Sequence, residues 1–210
     1  IAAKFDDVTV SYGGSGTLAR QISLGAPADV VLLANSVWME TLVEGADVAP
    51  DAVLDFASNA LVLVGRKDSE DIPLRSGALQ NAIGEGRLAI GLTQAVPAGI
   101  YGKSALTSLG LWDETKDRLA ELDNVRSALA LVIRGQAPLG IVYATDVHIS
   151  DTVRAVAVFP PESHPPIRYT AALTPQAEPE ASAFQAYLVG EEGQAVLADA
   201  GFLPPVEITQ

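Results

Sequence analysis

Short runs rich in Val, Ile and Leu recur along the chain at Val8–Val10, Val30–Leu33, Leu61–Val64, Leu88–Ile90, Leu139–Tyr143 and Val153–Phe159. Between them lie longer stretches whose apolar residues repeat at helical spacing: Thr17–Leu24, Trp38–Glu44, Tyr101–Leu109, Arg126–Arg134 and Ala181–Ala200. The first set predicts strands and the second helices. Alternation of the two predicts an α/β fold. The runs are apolar throughout rather than every second residue. That is the pattern of strands covered by helices on both faces, and it predicts mainly parallel sheets. No apolar run reaches the roughly 18 residues needed to cross a bilayer.

Charge divides the chain further. It carries 26 acidic and 13 basic residues, a formal net charge of −13. Residues 65–160 hold 10 of the basic and 11 of the acidic residues, whereas the two ends together hold 3 and 15. The ends resemble each other and differ from the middle. This predicts a discontinuous first domain, 1–64 plus 161–210, with a second domain, 65–160, inserted into it. The excess of negative charge argues against nucleic acid as a partner, because binding there requires cations to replace counterions. With no cysteine in the chain, a disulfide scaffold, a thiolate metal site and a cysteine nucleophile are excluded.

Three strand-to-helix turns have the chemistry to hold an anion. Tyr12-Gly13-Gly14-Ser15-Gly16-Thr17-Leu18 follows an extended run and opens a helix. Val96-Pro97-Ala98-Gly99-Ile100-Tyr101 follows Leu88–Ile90, with Pro97 suited to a first helical turn. Asn124-Val125-Arg126 offers Asn124 as an N-cap. Each turn presents backbone N–H groups at the positive end of a helix dipole. Several such ends converging would bind a small anion. Gly13-Gly14-Ser15-Gly16-Thr17 approaches the G-x-S-x-G nucleophile elbow but ends in Thr17, and neither His148 nor His164 is marked as its base. The same turn lacks the lysine of a phosphate-binding loop. The two histidines show no metal-ligand spacing.

Longer blocks carry a resemblance. Gly14-Ser15-Gly16-Thr17-Leu18-Ala19-Arg20-Gln21-Ile22, Gly25-Ala26-Pro27-Ala28-Asp29-Val30 and Trp38-Met39 occur in that order. Val96-Pro97-Ala98-Gly99-Ile100-Tyr101-Gly102-Lys103, Asn124-Val125-Arg126-Ser127-Ala128-Leu129-Ala130 and Ala137-Pro138-Leu139-Gly140-Ile141-Val142-Tyr143 follow. Together they resemble the periplasmic molybdate-binding proteins of ABC importers. The resemblance implies a type II periplasmic-binding-protein architecture: two α/β domains, two crossing segments and a ligand cleft between the domains. It implies molybdate or tungstate as ligand, a membrane permease as partner, a periplasmic location, a monomer, no enzyme activity and no cofactor or cation ligand. It assigns the oxyanion to the hydroxyl and N–H of Ser15, the N–H of Ala98, the N–H of Val125 and the hydroxyl of Tyr143. Ala98 and Val125, acting through backbone, should tolerate small side-chain changes. Arg20 and Arg126, inside the new helices, are expected to pair at the surface. The alternatives within the same fold are another tetrahedral oxyanion such as sulfate, or an oxyanion-sensing domain. By the same resemblance Ile1-Ala2-Ala3-Lys4-Phe5 reads as the tail of a first helix. A strand, a serine-bearing turn and most of that helix, on the order of 20 residues, are then expected ahead of it, together with a secretion signal. Val8–Val10 and Val30–Leu33 would flank that strand.

Overall fold

The computed structural model describes residues 1, 4–5 and 8–206. The chain forms two compact units, one of Ile1–Ser58 with Ile167–Gln210 and one of Asn59–Pro166. The crossings therefore lie six residues from the expected boundaries at 64/65 and 160/161. The reason is physical: the strand Leu61–Arg66 belongs to the second unit, and its buried residues up to Gly65 carry no charge by which their side could be read.

The first unit is built on a three-stranded sheet of β1 (Val30–Leu33), β2 (Val53–Ala57) and β8 (Tyr169–Leu173), in the order β1-β8-β2. The side-chain period of two decides how its faces are covered. Ala172 joins the core formed with Ala19, Met39 and Leu42, under α1 (Ser15–Ser23) and α2 (Ser36–Glu44). Its neighbour Ala171 joins Phe56, Leu188 and Leu197 on the other face, under α8 (Ala181–Val189) and α9 (Glu191–Asp199). The stretch Ala181–Ala200, expected as one helix, is thus two. Gly190 ends one and starts the next with extended backbone, φ −74° and ψ 161°. Phe5 packs edge-on against Phe184 and Tyr187 of α8, at 5.3 and 5.5 Å. The reading of Ile1–Phe5 as a helix tail falls partly on Ala2 and Ala3, outside the described residues.

The second unit holds a five-stranded sheet in the order β5-β4-β6-β3-β7. Its strands are β3 (Leu61–Arg66), β4 (Leu88–Gly91), β5 (Leu119–Leu122), β6 (Leu139–Tyr143) and β7 (Val153–Val158). Helices α3 (Ala78–Ile83), α4 (Pro97–Ser108), α5 (Trp112–Thr115), α6 (Val125–Ile133) and α7 (Ala144–Val147) connect them. Val62, Val64, Ala89 and Val142 pack with Leu129 and Val132 of α6 in one core.

Two expectations are corrected. The sheets are mixed rather than mainly parallel: β4 runs parallel to β5 and β6, but β3 opposes β6 and β7, and β8 opposes β1 and β2. An all-apolar run reports cover on both faces, whereas direction follows from the connections, and β8 enters its sheet from the other unit. Val8–Val10 is not a strand. Val8 and Val10 are exposed, and three residues with no ladder among the described residues bury too little to hold an extended pair.

Candidate functional site

Within the second unit, β5, β4 and β6 are adjacent and parallel, so their C-terminal ends share one edge of the sheet. Each leads into a helix: β5 into α6, β4 into α4, β6 into α7. In open α/β sheets this edge is where ligands bind, because the helix N-termini collect there.

The β4–α4 turn is compressed backbone on backbone. Val96 N–H donates to the Leu92 carbonyl at 2.8 Å, and Ile100 N–H donates to the Val96 carbonyl at 2.9 Å. Pro97, at the first helical position, has no N–H. The first-turn donors left without an intrahelical acceptor are those of Ala98 and Gly99. The loop behind them is held by a carboxylate: Thr93 N–H donates to Glu121 Oε1 at 2.7 Å. Ala98 is fully buried, so its methyl has no room to grow. The small side-chain changes expected to be tolerated at position 98, where the assigned role is a backbone one, are thus limited to a smaller side chain.

At α6 the Asn124 side chain accepts from Ser127 N–H at 2.8 Å. The cap removes one orphan donor and leaves those of Val125 and Arg126. Asn124→Ala is therefore expected to cost about 1 kcal/mol of stability, with Asn124→Ser recovering most of it, as measured by denaturant unfolding. Tyr143 ends β6, is buried, and lies opposite Leu61 of β3. Its N–H donates to Asp146 Oδ2 at 3.1 Å, and Asp146 Oδ1 pairs with Arg126 Nε at 2.9 Å. Burial pushes the Asp146 carboxyl above the ordinary carboxylate range, against the opposing pull of the Tyr143 N–H and the Arg126 guanidinium. Arg126 thus pairs with a carboxylate that is buried rather than at the surface.

In the first unit Ser15 is the first residue of α1 and is buried. Thr17 and Leu18 N–H groups already donate to the Gly14 carbonyl, at 2.9 and 3.0 Å. The donors of Ser15 and Gly16 are the ones without an intrahelical acceptor. The Ser15 hydroxyl oxygen accepts from Ala34 N–H at 3.0 Å, which fixes the oxygen and leaves its own proton to be donated. The next turn is capped by buried Asn35, whose side chain accepts from Val37 N–H at 2.8 Å.

Ala98, Val125 and Tyr143 are thus brought to one sheet edge, and Ser15 stands at an equivalent helix start in the other unit. Asp146, Glu121 and Asn35 are additions that the sequence reading did not single out. Asn35-Ser36 after an apolar run is an N-cap signature that could have been found; the partners of Asp146 and Glu121 depend on tertiary packing. Trp38 packs partly buried against the first unit's core, and Lys103 lies 5.3 Å from the Trp112 ring. His164 lies beside Tyr101, its Nδ1 2.8 Å from the Pro165 carbonyl. Among the described residues no group of three or more His, Asp or Glu side chains is placed to hold a metal ion.

Oriented amides and hydroxyls of this kind can solvate an anion. The fold is of the type II periplasmic-binding architecture. Residues 2–203 match the model of the bacterial extracellular solute-binding protein family. The molybdate-binding protein ModA of Haemophilus influenzae is 39% identical over 200 residues, which span 94% of this chain and 79% of that protein. Its namesake in Escherichia coli is 40% identical over 200 residues, 93% and 78% of the two chains. The periplasmic molybdate-binding protein of Azotobacter vinelandii superposes with a TM-score of 0.83 at 25% identity, covering 98% of this chain and 93% of that one. The chain belongs to the family of bacterial extracellular solute-binding proteins.

Proposed function

We propose that this protein captures molybdate, and tungstate as its isosteric dianion, in the periplasm and hands it as a monomer to the permease of an ABC importer. It does so without a cofactor and without catalysing a reaction. The observation that carries the reading is the 39% identity to a molybdate-binding protein over 94% of the chain. Ser15, Ala98, Val125 and Tyr143 are the proposed ligand residues. The donors around them support the reading. Amides and hydroxyls solvate a dianion without a buried counter-charge, whose desolvation would cost several kcal/mol. The carboxylates of Asp146 and Glu121 are already engaged by backbone N–H groups. A protonated oxyanion such as hydrogen phosphate needs an acceptor for its O–H, which a set of donors does not supply.

Titration calorimetry with molybdate, tungstate, sulfate and phosphate at matched ionic strength tests this. Molybdate and tungstate should bind, and at ten times the dissociation constant should stabilise the protein by about 1.4 kcal/mol. That corresponds to a melting shift of about 3–6 °C for a chain of this size. Equal shifts with sulfate would remove the molybdate assignment.

A further inference from the structure

We infer that Arg126 and Asp146 are positioning residues that clamp the α6 turn to the end of β6, so that the Val125 amide and the Tyr143 hydroxyl are held as one donor unit. The inference takes its ligand from the proposed oxyanion function, but the clamp itself is read from the second unit alone.

The argument starts from the sheet order. Strands β5 and β6 do not touch, because β4 lies between them. Neighbouring strands are about 4.8 Å apart, so the ends of β5 and β6 are separated by about twice that distance. No ladder hydrogen bond can fix one end against the other. The Asp146 carboxylate makes that connection. One oxygen accepts from the N–H of Tyr143, the last residue of β6, and the other accepts from Arg126, the residue next to Val125. Both oxygens are used, and the side chain is 4% exposed, whereas the Arg126 side chain is 66% exposed. Exposure of the arginine matters, because an ion pair with a solvent-exposed partner adds little stability of its own. A half-exposed guanidinium reaching a buried carboxylate over an anion-binding edge does something else. It spends its charge on Asp146, so that the edge presents dipoles rather than a free cation, and it transmits the position of Tyr143 to the α6 turn. Arginine suits this because its planar fork holds direction, whereas an ammonium on a flexible stem holds only charge.

Arg126→Gln tests the clamp, since an exposed side chain can be exchanged without emptying the core. Molybdate affinity of the full chain is expected to fall about 3- to 30-fold. Arg126→Lys should recover only part of the loss. In the ligand-free protein the amides of Ser127 and Tyr143 should both exchange faster in Arg126→Gln than in wild type. Asp146→Asn, which breaks the same ion pair while keeping an acceptor for the Tyr143 N–H, should match Arg126→Gln at both amides. Unchanged molybdate affinity in Arg126→Gln, beside a wild type that binds, would overturn the inference and leave the molybdate reading intact. A wild type that binds no molybdate would remove that reading instead. The exchange data then decide the clamp alone, and loosening confined to one of the two turns would overturn it.

Discussion

Gly99→Ala is expected to destabilise the second unit by more than about 3 kcal/mol and to abolish oxyanion binding with it. A Cβ at this position would fall deep inside the van der Waals radius of the Gly91 carbonyl oxygen and within 2.6 Å of the Leu92 carbonyl oxygen. Both are backbone atoms, so no side-chain rotation relieves the clash. The backbone that must move belongs to the end of β4, where Gly91 pairs with Leu122 of β5 and Leu92 N–H donates to the Leu122 carbonyl at 2.7 Å. Overpacking usually costs about 1–3 kcal/mol, and the larger values arise where neighbours cannot yield. Gly102→Ala, one turn along α4, is the control. Its Cβ would meet the tip of Ile90 at 2.8 Å, a flexible methyl, and alanine is favoured over glycine in a helix by up to about 1 kcal/mol. Denaturant unfolding should separate the two by several kcal/mol; a Gly99→Ala protein within about 1 kcal/mol of wild type would show that the turn can open. The clash also explains the turn's composition. Glycine in the first turn of α4 lets the helix start against the strand end, which is what brings the Ala98 and Gly99 amides to the sheet edge.

A protein with a net charge of −13 that binds a dianion must separate long-range from short-range electrostatics. At physiological ionic strength charges beyond about 8 Å are largely screened. The acidic surface therefore slows approach more than it weakens the bound state. Close to the edge, carboxylates are turned to another use: Glu121 holds the β4–α4 loop and Asp146 holds the end of β6. They fix the dipoles proposed to do the binding, and each accepts from a backbone N–H.

Elements with strong local signals could be read from sequence alone. Val30–Leu33 and Leu139–Tyr143 are strands over those residues, and the helices α1, α2, α4 and α6 begin within four residues of the predicted starts. Their runs are apolar and their starts carry Asn, Pro or Gly, which act through the nearest neighbours. Three strands were not found: Val53–Ala57, Leu119–Leu122 and Tyr169–Leu173. Each is diluted by features that make sense only in the fold. Asp55 sits in β2 because Arg168 pairs with it at 2.8 Å. The alanines of β8 are small because helices close on both faces of that strand. Glu121 sits in β5 because a loop amide needs it. The same distinction runs through the site. Ser15, Ala98, Val125 and Tyr143 are proposed from the family resemblance of their motifs, whereas Asp146 acquires its distant partner, Arg126, from α6.

Tyr143→Phe and Ser15→Ala each delete one hydroxyl proposed to face the anion, yet the structure makes them unequal. Tyr143→Phe keeps a ring of the same shape in a buried strand end. A hydrogen bond to a charged ligand contributes about 1.5–3 kcal/mol, so affinity should fall about tenfold to a hundredfold. The ligand-free protein should lose no more than about 1.5 kcal/mol, the size of one ordinary hydrogen bond. Ser15→Ala removes more, because the same oxygen accepts from Ala34 N–H. That amide is then left without its acceptor beside the buried Asn35 cap. An unpaired buried donor costs about 1–3 kcal/mol, so this variant should lose stability in the first unit as well as affinity. Calorimetry and denaturant unfolding on both proteins separate the cases. The expected pattern is comparable loss of molybdate affinity with the larger destabilisation in Ser15→Ala. Full affinity in Tyr143→Phe would take Tyr143 out of the site, and undiminished stability in Ser15→Ala would mean that water replaces the serine oxygen at the Ala34 amide.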